Sequence, residues 1–256
     1  MGLVLPALLG GVLWHWLVAG KTRALAPEDT SEHGLGLFIP GLMVQLLLPS
    51  MVMFVLNRKL TEVSLGGRLA LQVGCNLAAV GLVLVLVARH YGSRSGMGLR
   101  RHQGPNPLIT ALAAWLVTWP VLALATLANH GLLEALGYPV VTQDHLSRFV
   151  AEGAVNPLWV WTAMVLILPL CEELLFRGAL YGGLRRRMPL PVAMVASGLL
   201  FGLLHDTSVI LPVAALGTML AWLYERTGSL VAPCLVHLLQ NGLTLTLLTL
   251  FPEELS

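Results

Sequence analysis

Two carboxylates and a guanidinium interrupt an otherwise apolar run, Leu168-Pro169-Leu170-Cys171-Glu172-Glu173-Leu174-Leu175-Phe176-Arg177. Downstream, His205 closes Phe201-Gly202-Leu203-Leu204-His205, and His237 and Asn241 stand four residues apart in a third apolar stretch. If these runs cross a membrane, each ionised group near a helix centre costs about 2.5–3.5 kcal/mol on insertion scales and needs compensation. Glu173 and Arg177 share a helical face at this spacing and are placed to pair. Glu172 is rotated about 100° from Glu173 and has no local cation. The asymmetry points to one carboxylate held for structure and a second kept for acid–base chemistry. Simpler uses exist for each residue alone: a structural ion pair, an interfacial histidine, or interhelical hydrogen bonds from His237 and Asn241. Those uses explain the joint occurrence badly.

The background makes these residues informative. Of 256 residues, 56% are hydrophobic and 11% charged, against about 25% charged in an ordinary soluble domain. A soluble globule of this size could not hide so much apolar surface. Disorder, collagen and disulfide scaffolds are excluded by low charge, aperiodic glycine and only three cysteines. Those cysteines, Cys75, Cys171 and Cys234, have no CxxC partner and are expected to be inert core thiols. The net charge of +2 comes without a basic, aromatic-studded patch, so no nucleic-acid partner is expected. The partner of so apolar a chain is the lipid bilayer.

Runs of about 20 apolar residues mark spanning helices. About eight are present, at 1–20, 35–56, 69–88, 108–128, 157–176, 190–204, 209–223 and 230–250, the sixth and seventh being short. The fold class is therefore all-α, a polytopic transmembrane helix bundle of about eight spans. No strand alternation favours a β-barrel. Residues 1–156 make an N-terminal set of about four spans, and residues 157–256 hold every candidate site residue. The polar stretch 142–153 is expected at the interface, and Arg185-Arg186-Arg187 reads as a topology and headgroup anchor. The first run lacks a basic flank before it, so it reads as an uncleaved span rather than a signal peptide. With the N-terminus outside, the inner loops collect ten Lys and Arg and the outer loops four, which predicts N-terminus and C-terminus both outside.

The hairpin of the fifth and sixth runs, turning near Met188-Pro189, puts Glu172 and His205 equidistant from the turn, about 24 Å away along each helix. Gly178-x-x-x-Gly182 and Gly198-x-x-x-Gly202 would let these two helices approach closely. Glu172, His205 and His237 also form a His₂Glu set of the kind zinc accepts, although no HExxH is present.

The sequence Glu172-Glu173-x-x-x-Arg177, Phe201-x-x-x-His205, His237-x-x-x-Asn241, with 222–233 leading into the last, resembles the CAAX-processing and bacteriocin-processing (CPBP) intramembrane proteases, similar to CAAX prenyl endopeptidases. The likeness covers about residues 157–250. It implies an intramembrane endopeptidase that activates water with Glu172 and needs no cofactor, zinc through Glu172, His205 and His237 being the alternative. His205 would share the water and help protonate the leaving amine. His237 and Asn241 would donate to the oxyanion, with Glu173 and Arg177 supporting the geometry. The implied partner is a peptide or protein substrate, lipidated or membrane-bound, and the implied location is a bacterial cell membrane. Two other classes fit the same polar cluster. One is a non-catalytic scaffold or bacteriocin-immunity factor of the same family. The other is a transporter, which the absence of internal repeats disfavours.

Overall fold

A computed structural model describes residues 4–18, 34–56, 59, 62–91, 97–99, 102, 104–138 and 156–250. Among these residues the chain is predominantly helical, with no strand. Eight helices follow one another: α1 (Val4–Leu13), α2 (Gly34–Val55), α3 (Leu65–Leu86), α4 (Pro107–Ala135), α5 (Pro157–Arg185), α6 (Leu190–Leu203), α7 (Ile210–Thr227) and α8 (Val231–Leu250). Six, all but α1 and α6, are long and apolar enough to cross a membrane. The 14 residues of α6 reach about 21 Å at 1.5 Å per residue, short of a hydrocarbon core of about 30 Å. Large side chains such as Phe54 and Leu158 are exposed, as expected of a surface that faces lipid. The stretch 142–153, Lys21, Arg23 and the tail Glu253–Glu254 lie outside the described residues.

Local chemistry sets the helix ends. Asn106 and Asn156 each precede a proline, and their side-chain oxygens accept the N–H of Leu108 and Leu158 at 2.8 and 2.9 Å. These are N-caps with proline at the first helical position, where a missing N–H costs nothing. Gly228, at φ +66°, closes α7 in the left-handed conformation that glycine adopts freely. Pro189 precedes α6, so α5 and α6 turn where the sequence places the turn.

The glycine pairs do not do what their spacing implies. Gly198 and Gly202 of α6 face α7, not α5. A Cβ on Gly198 would strike Thr218 Oγ1 and lie 2.6 Å from the Ala214 carbonyl oxygen, and one on Gly202 would lie 2.5 Å from the Ile210 carbonyl oxygen. Gly217 of α7 answers from the other side, its Cβ position 3.0 Å from Gly198 Cα. On α5, Gly178 admits the Met97 carbonyl, and Gly183 rather than Gly182 meets the start of α2 at Leu35. Small residues mark a face that permits close approach, whichever helix takes it.

Two further expectations are corrected. The fourth span does not end at Ala128: α4 continues to Ala135, carrying Asn129 inside it at 2% exposure. The arginine trio is not only an anchor. Arg185 Nε donates to Glu225 Oε1 at 3.1 Å, and Tyr181 Oη donates to Glu225 Oε2 at 2.6 Å, which ties α5 to α7 through a buried carboxylate. Cys75, Cys171 and Cys234 are free thiols.

Candidate active site

Helix α5 is not a uniform α-helix. Its turns widen to the π type over Thr162–Ile167 and again over Leu174–Tyr181, leaving an α-helical segment Leu168–Glu173 between them. Wide turns of this kind recur at functional sites because they rotate the side chains that follow. Glu172 and Glu173 end the α-helical segment, and Arg177 lies in the second wide stretch.

Glu173 and Arg177 form the pair that their spacing predicts. Arg177 Nη1 donates to Glu173 Oε1 at 3.0 Å, and both side chains are fully buried. Arg177 Nη2 also donates to the Gly217 carbonyl of α7 at 3.1 Å, and its guanidinium lies 4.5 Å from the centre of the Phe201 ring. A carboxylate in its ionised form offers acceptors only.

That fixes the next residue. His237 of α8 places Nδ1 2.8 Å from Glu173 Oε1. With Glu173 accepting, the proton of this contact sits on Nδ1, and in the neutral tautomer Nε2 is then an acceptor. Nε2 faces Glu172 Oε2 at 3.7 Å. This is too long for a direct hydrogen bond, yet short enough for one water to bridge both atoms. Glu172 is 18% exposed where Glu173 is wholly buried. The contrast between the two carboxylates is the one their helical positions predict.

His205 lies just past the end of its helix. Helix α6 stops at Leu203, so His205 lies in the following bend, with Nδ1 2.8 Å from the Phe201 carbonyl oxygen. None of its polar contacts among the described residues reaches Glu172. It joins the site through Phe201, whose ring centre is 4.8 Å from that of His205 and 5.7 Å from that of His237. The bend is braced by α4. Asn129 Nδ2 donates to the carbonyls of Thr207 and Ser208, and its Oδ1 accepts the Leu211 N–H. Asn241 Nδ2 donates to the Met164 carbonyl of α5 at 2.9 Å.

Among the described residues, no group of three or more His, Cys, Asp or Glu side chains is arranged to hold a metal. Two contributors escape sequence reasoning. Phe201 is legible only as a motif letter, although it packs against Arg177, His205 and His237. Asn129 stands at the edge of a polar break, and only its burial distinguishes it.

Comparison with known proteins bears on the same half of the chain. Residues 154–243 match the family model of the type II CAAX prenyl endopeptidases, Rce1-like. Over those residues the chain is similar to this family. The membrane-embedded CAAX protease MroQ of Staphylococcus aureus (strain USA300) is 26% identical over 156 residues, covering 55% of this chain and 62% of MroQ. YdiL of Bacillus subtilis (strain 168) is 34% identical over 74 residues, 28% of this chain and 30% of that protein. The UPF0177 protein YxdF of Lactococcus lactis subsp. lactis (strain IL1403) is 32% identical over 74 residues, 28% of this chain and 40% of that protein. The chain thus spans less than two thirds of each relative. No solved structure matches. The Rce1-like match contains Glu172, Glu173, Arg177, His205, His237 and Asn241. With six helices long and apolar enough to cross a membrane, the chain is a multi-pass membrane protein, as its composition implies.

Proposed function

We propose that this chain is an intramembrane endopeptidase that hydrolyses a peptide bond with a water held between Glu172 and His237. The observation that carries the reading is the geometry of those two residues. Glu172 Oε2 and His237 Nε2 stand 3.7 Å apart, and His237 Nδ1 lies 2.8 Å from Glu173 Oε1, which fits the tautomer with its proton on Nδ1 and Nε2 as an acceptor. A water that gives one hydrogen to each acceptor turns its lone pair toward a peptide carbonyl. Glu172 takes a proton as the C–O bond forms, and the tetrahedral oxyanion collapses with cleavage of the C–N bond. The leaving amine receives that proton from Glu172. His205, packed on the same Phe201, is the second group able to deliver one.

This assignment moves His237 from oxyanion donor to partner of the base. Asn241 remains the side-chain donor for the oxyanion, a role that requires a placed N–H in a water-poor site. Residues 157–256 carry this chemistry. The reading needs no metal. A peptide or protein substrate reaching the site from the bilayer fits the lipid-facing surface, and the similarity to MroQ, named as a membrane-embedded CAAX protease, supports a CAAX-type substrate.

The test uses purified protein in lipid nanodiscs with fluorogenic peptides, both prenylated and plain. Glu172→Gln and His237→Gln each abolish turnover, whereas His205→Gln leaves a measurable fraction of it. Full turnover by either of the first two variants would overturn the assignment and favour a scaffold or immunity role.

A further inference from the structure

Three features of α5 meet at one carbonyl. In its first wide turn the hydrogen-bond ladder runs five residues back, with the Leu168 N–H on the Ala163 carbonyl. The next rung would join residue 169 to the Met164 carbonyl, but residue 169 is proline and has no N–H. The Met164 carbonyl accepts instead from Asn241 Nδ2 of α8 at 2.9 Å. A side chain from another helix fills the rung that the proline leaves open. Inside a membrane a carbonyl without a donor is costly, so the gap is a strong point of attachment.

We propose that Pro169 is a positioning residue for Asn241. By withholding an N–H from Met164, it makes that carbonyl the anchor of the Asn241 amide. This rests on the peptide-hydrolysis reading above. The Asn241 nitrogen carries two hydrogens in one plane. Fixing one on Met164 fixes the direction of the other, which serves the oxyanion. Without the anchor the amide samples other rotamers, and a displacement of about 1 Å at a reacting centre can cost about 100-fold in rate. Proline acting only as a kink would change the shape of α5 with no dependence on residue 241.

The experiment is a double-mutant cycle on the full chain in nanodiscs: parent, Pro169→Ala, Asn241→Ala and the pair together. In the parent, Asn241→Ala lowers the melting temperature by about 2–4 °C, the shift for one net hydrogen bond in a domain of this size. In the Pro169→Ala background the restored N–H serves Met164, and the same substitution costs little. An equal cost in both backgrounds overturns the proposal. With a cleavable peptide, Pro169→Ala lowers kcat about 10-fold to 100-fold with KM nearly unchanged, and the double variant is no slower than Asn241→Ala alone. Unchanged kcat in Pro169→Ala also overturns it. If no variant and no parent cleaves peptide, the hydrolysis reading has failed, and the melting cycle still decides whether Pro169 hands Met164 to Asn241. Pro169→Leu repeats the cycle if Pro169→Ala does not fold.

Discussion

Arg177→Met is the perturbation that weighs the site's internal electrostatics. The parent side chain is fully buried, pairs with a fully buried carboxylate at 3.0 Å and donates to the Gly217 carbonyl at 3.1 Å. Methionine retains the apolar stem against Phe201 but strands the Glu173 charge. Leaving one member of a buried ion pair uncompensated costs about 3–5 kcal/mol, a large fraction of the about 5–15 kcal/mol that holds a typical domain folded. Adding Glu173→Gln removes the stranded charge and keeps an oxygen for His237. The double variant therefore regains about half of the loss or more. Arg177→Lys keeps the charge but has no planar fork for both partners, and loses about 1–3 kcal/mol with the hydrogen bond to Gly217. Unfolding in mixed micelles can be followed by the fluorescence of the seven tryptophans. The reasoning fails if Arg177→Met lies within about 1 kcal/mol of the parent, or if the double variant is no more stable than Arg177→Met.

Two other outcomes follow from the same geometry. Gly198→Val puts a Cβ 2.6–2.7 Å from backbone atoms of Ala214 and Thr218. Because backbone cannot yield as a side-chain tip does, α6 and α7 separate and stability falls by about 1–3 kcal/mol. Gly81→Val, at a position with nothing within 4 Å, is the control and leaves the unfolding midpoint in place. Peptide cleavage persists after dialysis against a strong chelator, with metal content measured on the same sample. Activity lost on chelation and restored by zinc would reinstate the His₂Glu alternative.

Part of this site is legible in the sequence because local spacing is robust. Glu173 and Arg177 meet through four residues of one helix, and the α5–α6 turn is fixed by Pro189. Long-range pairings are harder to read for identifiable reasons. Depth along a helix is counted at 1.5 Å per residue, but α5 has wide turns at Thr162–Ile167 and Leu174–Tyr181, and α6 ends at Leu203, before His205. The Gly198–Gly202 stripe declares a close contact without naming α7 as the partner. The role of Asn241 depends on which carbonyl lacks a donor, and that requires knowing that the ladder before Pro169 runs five residues back. The Glu173–His237 contact joins residues 64 apart, and no periodicity encodes it.

The central claim is that this membrane protein cuts peptide bonds with Glu172. Comparison of peptide termini in membranes carrying the parent chain or Glu172→Gln, at equal expression and with unfolding midpoints matched, tests it most directly. Hydrolysis through Glu172 yields a set of new C-termini present with the parent and missing with the variant. Identical sets of termini in the two membranes would contradict it.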